Sequence, residues 1–219
     1  MKALFDAIKA GDVPQVAALL DRNPALANAA DENGQAALVA AKYYRQDAAA
    51  ELLASRGATL DIFSAALMGR ADVIENLVAQ DRSLVTLLSR DGWTALHLAA
   101  FFGQSQAARL LLNKGAPVNA RSTNAMANTP LHAAAAGGNT AIVKLLLDFG
   151  ANANLLQHGG FTPLHAAAQM GDVEMARALV GAGANVSARA ENQQRPIDLA
   201  MLKAHQAMVE FLESNGASL

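Results

Sequence analysis

The chain has 219 residues, a formal net charge of −2, 53% hydrophobic residues and 16% charged residues. That composition is too apolar for a disordered chain, and no run of about 18 or more apolar residues is present to cross a bilayer as a helix. The absence of cysteine excludes disulfides, thiolate metal sites and cysteine nucleophiles.

The opening, MKALFDAIKAGD, meets Asp6 and Asp12 too early for the apolar region of a signal peptide, so a cytoplasmic location is the default expectation. Leu4 leads a first apolar unit and Leu38 a second, which carries the tyrosine pair Tyr43 and Tyr44 in AAKYYRQ. Residues 1–60 align without a gap on residues 59–118 at a constant offset of 58: Phe5 meets Phe63, Gly11 meets Gly69, Leu38 meets Leu96 and Gly57 meets Gly115. A two-unit block is therefore duplicated in tandem. At the joint, RGATLDIFSAA, the spacing from Leu38 to Ile62 is only 24 residues, too short for a full hairpin between helix pairs. A seam with a truncated connector is expected near Ala58–Asp61.

Four units follow the third, which Ile62 leads. They begin TALHLAAFFG at Thr94, TPLHAAAAGG at Thr129, TPLHAAAQMG at Thr162 and RPIDLAMLKA at Arg195. Their lead residues Leu131, Leu164 and Ile197 are spaced by 33, whereas Leu96 to Leu131 is 35, with the extra two residues in STNAMAN. Repeats come first in such a reading because each unit alone cannot bury its apolar faces. Thr129 and Thr162 read as N-caps, with Pro130 and Pro163 at the first helical position. Gly138 and Gly171 break the first helix, and Asn139 or Asp172 is expected to cap the second. Gly115, Gly150, Gly183 and Gly216 stand where a left-handed residue ends it.

The T-P-L-H-x-A-A pattern, the 33-residue period and the G-A-x-x-N segments GAPVN and GANAN resemble the ankyrin repeat. The match is close in units four to six and degraded in units one, two, three and seven. The resemblance implies an all-α solenoid of stacked antiparallel helix pairs with β-turn fingers on one edge, forming one domain over 1–219. The repeats are expected at about 1–30, 31–60, 61–90, 91–123, 124–156, 157–189 and 190–219. It further implies a stand-alone array of bacterial type with polar caps at both ends, read from Lys2, Lys9 and Asp12 and from Lys203, His205, Gln206 and the ending ESNGASL. Val39 and Asp198 depart from the pattern, standing where the family places His.

Chemistry is sparse. His97, His132 and His165 recur in register, and the resemblance implies that they tether adjacent fingers, not that they ligate metal; His158 and His205 read as surface residues. VGAGANVS lacks the third glycine of a dinucleotide loop and follows a helix, so it reads as a helix end. No Walker loop, HExxH, G-x-S-x-G or CxxC occurs, and no catalytic residue, metal or cofactor is expected. From Gly92 to Leu147 there is no Asp or Glu, but Arg109, Lys114, Arg121 and Lys144 are too few for a nucleic-acid stripe, and nucleic acid ranks last among the expected partners.

The aromatics are the informative residues. By the resemblance, Phe101 and Phe102, and 58 residues earlier Tyr43 and Tyr44, line a concave groove, and Trp93, Met126 and Phe161 stand on finger tips with Met170 nearby. Exposed Trp, Tyr, Phe and Met at such positions point to a protein or peptide partner. The competing reading is packing between repeats, with the tyrosines covering the seam. A narrower expectation is a pocket between the large Phe101/Phe102 pair and the small Ala136/Gly137 pair, which as a second reading would take a small ligand.

Overall fold

The computed structural model describes residues 1–218, and its regular elements are helices in seven consecutive pairs. These are α1 (Lys2–Ala10) with α2 (Val13–Arg22), α3 (Ala37–Tyr43) with α4 (Asp47–Ser55), and α5 (Ile62–Met68) with α6 (Ala71–Gln80). Then come α7 (Ala95–Phe101) with α8 (Ser105–Asn113), α9 (Pro130–Ala136) with α10 (Thr140–Asp148), α11 (Pro163–Met170) with α12 (Val173–Gly181), and α13 (Pro196–Leu202) with α14 (Gln206–Ser214). Leu219, the last residue of the expected C-terminal cap, lies outside the described residues.

The helices are short because sequence punctuates them. Thr94, Thr129 and Thr162 stand at N-caps, Pro130 and Pro163 follow where a missing N–H costs nothing, and a left-handed residue ends every helix except α2 and α6, which run into extended Asn23 and Asp81. The left-handed residue is usually glycine, but α3 is followed by Arg45 at φ 57° and α13 by Ala204 at φ 56°, at some cost to a residue with a Cβ. The duplication survives in the backbone: α3, α4 and α2 recur as α7, α8 and α6 with both ends shifted by 58 residues.

One continuous core runs through the array. Along the first-helix row it is built of alanine: Ala95, Ala99 and Ala100 of α7 and Ala133, Ala134 and Ala135 of α9 are all fully buried. The second-helix row contributes larger side chains, among them Leu53, Ile74, Leu111, Ile142 and Leu146, each worth about 2 kcal/mol on burial. Methyl groups let first helices approach one another more closely than the leucine-bearing second helices do, and successive first helices pack the more extensively.

The connectors carry the fingers. Five are closed by a backbone bond across the turn, from Asp31 N to Gln35 O, Ser89 N to Trp93 O, Ser122 N to Asn128 O, Gln157 N to Phe161 O and Ala190 N to Gln194 O. The expected seam is present: between Ser55 and Ile62 there is no finger, and Asp61 caps α5 directly by accepting from Ser64 N at 2.7 Å. There the inner helices α3 and α5 still pack, while the outer helices α4 and α6 hardly meet.

Candidate functional site

Neighbouring fingers are bonded to each other wherever they are adjacent. Thr123 N donates to Gly92 O at 3.0 Å, His158 N to Met126 O at 2.8 Å and Glu191 N to Gly159 O at 2.9 Å. A second tie comes from the recurrent histidines. The Nδ1 atoms of His97, His132 and His165 accept from the N–H of Thr94, Thr129 and Thr162, with the threonine hydroxyl oxygens at 2.8–2.9 Å, so the proton sits on Nε2. From there each imidazole donates to the last carbonyl of the next finger: His97 to Asn128 O, His132 to Phe161 O and His165 to Gln194 O. Burial pushes His97 and His132 down to about 4, and lowers His165, so the three rings are neutral at pH 7. This geometry leaves no ring nitrogen free for a metal.

Two of the departures from the histidine pattern, Val39 and Asp198, share a physical setting. Val39 stands at the histidine position of a unit whose following finger is missing, and Asp198 belongs to the last unit. Among the described residues neither is followed by a finger for a histidine to tether. Asp198 instead accepts from the backbone N–H and guanidinium of Arg195, which in turn donates to Ser218 O at 2.7 Å. The G-A-x-x-N asparagines are equally structural. Asn119 donates to Gly150 O and accepts from Asn152 N, and Asn154 does the same with Gly183 and Asn185.

Four of the aromatic positions come together as one run of rings. Trp93 lies edge-on to Phe101 at 5.5 Å, Phe101 to Phe102 at 5.2 Å and Phe102 to Tyr43 at 5.4 Å. Trp93 also stacks on His97 at 5.9 Å, and its buried indole N–H finds no acceptor among the described residues. The run starts at the fourth unit and ends on the second, passing over α5. Phe101 and Phe102 are half-buried, so the rings pack between repeats and still show a surface. Tyr44 stands apart under Lys9, 5.9 Å from its ring centroid. Phe161 is half-buried against His165 at 5.2 Å, while Met126 and Met170 are 46% and 41% exposed.

Three expectations are corrected. Ala136 and Gly137 do not hollow out a pocket beside Phe101, because a Cβ on Gly137 would collide with the Phe101 carbonyl oxygen; this glycine (φ −78°) permits close approach of two repeats. Asn139 does not cap its own helix with its side chain. It donates to Ala100 O and Phe101 O, both at 2.8 Å, sealing the end of the preceding first helix. His205 is likewise no free surface residue, since its Nε2 donates to Gln169 O at 3.1 Å. No signal at these two positions separates a cap of the local helix from a bond to the previous one. The basic middle is also largely engaged: Lys114 pairs with Glu75, Lys144 with Glu174, and Arg121 donates to Ala127 O and Leu156 O.

A well-formed cleft lies at the seam instead. It has a volume of about 450 Å³, a floor of Val39, Phe63 and Leu67, and walls formed by the Asp31–Gln35 finger and the Ser89–Trp93 finger. Tyr43 closes one end, its hydroxyl pushed up to about 12 by burial and by the negative charge of Asp91. A second hollow of about 650 Å³ lies between Phe5, Lys9 and Tyr44 at the start of the array. No group of three or more His, Asp or Glu able to hold a metal ion occurs among the described residues, and no helix there is long and apolar enough to cross a membrane.

Known proteins match this architecture. A family model described as "Ankyrin repeat" matches residues 91–123, and one described as "Ankyrin repeats (3 copies)" matches 118–190 and 159–219. The chain is 39% identical to the Neurogenic locus Notch protein of Drosophila melanogaster over 93 residues, 42% of this chain and 3% of that protein. It is 37% identical to Ankyrin repeat and SAM domain-containing protein 6 of Rattus norvegicus over 102 residues, 47% of this chain and 11% of that protein. A third relative is ankyrin repeat protein FPV031 of fowlpox virus, 44% identical over 73 residues, 33% of this chain and 21% of that one. The chain thus spans a small part of each relative's length. With family models matched without a gap from residue 91 to residue 219, over half of its length, the chain belongs to the ankyrin repeat family.

Proposed function

We propose that this protein is a non-catalytic binding module whose finger tips and first helices hold a protein or peptide partner, with the central repeats as the contact. Ankyrin repeats are generally protein–protein interaction modules. The observation that carries the reading is the run of rings from Trp93 through Phe101 and Phe102 to Tyr43, partly exposed on the first-helix side. Large flat side chains locked against one another lose little entropy when a partner covers them, which is why Trp and Tyr dominate binding hot spots. Met126 and Met170 extend the apolar surface with adaptable side chains, and Phe161 contributes a half-buried edge. Tyr44, facing Lys9, belongs to the rim. Cytoplasmic residence fits this reading.

The test separates binding from folding. Phe102→Glu would disturb the ring run as well as the surface, so the exposed methionines are the cleaner sites. Met126→Glu and Met170→Glu are expected to leave the helical circular dichroism unchanged. Combined, they should weaken capture of the main partner from native lysate by roughly tenfold or more, the cost of opposing a charge to an apolar contact. Capture at the wild-type level by the double variant, with Trp93→Ala/Phe102→Ala equally unaffected, would remove this face from the function.

A further inference from the structure

The missing finger leaves two backbone groups without partners. In every adjacent pair of fingers, the N–H of the second finger residue bonds to a carbonyl of the finger before it, as Thr123 N does to Gly92 O. By the 58-residue offset Gly34 is the counterpart of Gly92, and Arg90 occupies the place in its finger that Thr123 does in the next. Gly34 O and Arg90 N have no hydrogen-bond partner among the described residues, because the finger that should lie between them is absent. A Cβ on Gly92 would meet the backbone of the next finger, 2.7 Å from Asn124 N; one on Gly34 would meet only the guanidinium of Arg90. An exposed, mobile type of side chain thus lies where a backbone strand is the rule.

The cleft below is apolar at its floor and negative at its rim. Asp31, Asp61 and Asp91 line it against the single cation Arg90, which makes no ion pair among the described residues. Asp31 and Asp61 each use Oδ1 in local turns, to Asn33 and Gln35 N and to Ser64 respectively, and keep Oδ2 uncommitted. Asp91 has no side-chain bond at all among the described residues. An anionic occupant would face three carboxylates; a cationic one completes the rim.

We propose that the seam cleft takes a turn or extended segment of a partner protein that replaces the absent finger, its backbone pairing with Gly34 O and Arg90 N–H and a Lys or Arg on it facing Asp31, Asp61 and Asp91. Continuity of the finger ladder sets the backbone geometry, in the manner of strand addition to an open edge, and the carboxylates set the charge. Arg90 swings outward as the segment enters. This site adjoins the ring run through Tyr43, but Met126 and Met170 do not line it, so Met126→Glu and Met170→Glu leave it intact.

A finger of this chain serves as probe: the capped, fluorescein-labelled 12-residue peptide PVNARSTNAMAN, residues 117–128, whose only charged side chain is Arg121. Fluorescence anisotropy at low salt is expected to show saturable binding to the whole protein. Replacing the peptide's arginine, Arg121→Glu, should weaken it at least about tenfold. Asp61→Asn/Asp91→Asn in the protein, which keeps an N-cap residue at position 61, should do the same, and Val39→Trp should abolish binding by filling the floor. No saturable binding below about 1 mM, equal binding of the two peptides, or binding indifferent to the aspartate changes would each overturn the proposal. A monomer–dimer equilibrium abolished by Val39→Trp would also overturn it, since the occupant would then be a second copy of the chain.

Discussion

Acidification from pH 7.5 to pH 5 is expected to remove about 4 kcal/mol of folding stability through His97 and His132 alone. Both are held at about 4 in the folded protein, against an ordinary value of 6.5. Burial is the first cause for each, and for His132 the positive charge of Arg121 adds to it. Between those two values the unfolded chain binds protons that the folded one refuses. The stabilisation is therefore complete above about pH 6.5 and lost as pH falls toward 4, at about 2 kcal/mol per histidine by pH 5. Protonation also destroys the function of the ring, because Nδ1 can no longer accept from the threonine. His165 moves in the same direction. Carboxylates with depressed values, such as Asp198 held down by Arg195, act mainly below about pH 4 and add only at the acid end of the histidine window.

Against a total that for ordinary domains is about 5–15 kcal/mol, such a loss places the acid transition near pH 4–5. Urea unfolding followed by circular dichroism at pH 7.5, 6 and 5 checks this. Equal midpoints at the three pH values would refute it, as would ring protons of His97 and His132 that titrate near 6.5 in the native protein. His97→Gln/His132→Gln should flatten the pH dependence while lowering stability at pH 7.5 by about 1–3 kcal/mol per site, the usual cost of an impaired buried bond.

These histidines were legible in the sequence because they belong to a motif, and so were the threonine and Asp172 caps and the 58-residue offset. Local punctuation wrote the elements, and duplication wrote the seam. The ring run was not legible as a run. Tyr43 reaches Phe102 across an entire repeat, their ring centroids 5.4 Å apart, and no spacing along the chain signals that contact. The cleft escaped for a related reason: it is made by what is absent between residues 55 and 62, and no residue there carries its signature. Gly137 misled because a glycine that admits a neighbouring carbonyl and a glycine that opens a pocket are identical in one dimension. Val39 does not by itself signal the gap, because Phe5 and Phe63 also replace the histidine in units whose following fingers are present.

The seam should also divide the molecule energetically. Stability in a repeat array is a sum of unit terms and nearest-neighbour terms, so cooperativity is as strong as its weakest junction. At most junctions after the seam the neighbours share a finger-to-finger bond, a histidine tether and outer-helix packing. At the seam all three are missing or slight, leaving α3 against α5, the Tyr43–Phe102 contact and an exposed ion pair between Arg70 and Glu51. Such a pair adds little. Leu53→Ala and Leu146→Ala each delete a fully buried side chain, at a cost of about 3 kcal/mol. Leu53→Ala is expected to raise hydrogen exchange about a hundredfold across residues 1–60 and leave the rest unchanged, whereas Leu146→Ala raises it from the fourth repeat onward. Both tyrosines precede the seam and the single tryptophan follows it, so the two blocks carry separate optical reporters. Urea curves of Leu53→Ala should then split, with tyrosine signals changing before Trp93 fluorescence does. Coincident transitions in both variants would mean that the inner-helix contact alone couples the blocks, and that a finger can be lost from this array without dividing it.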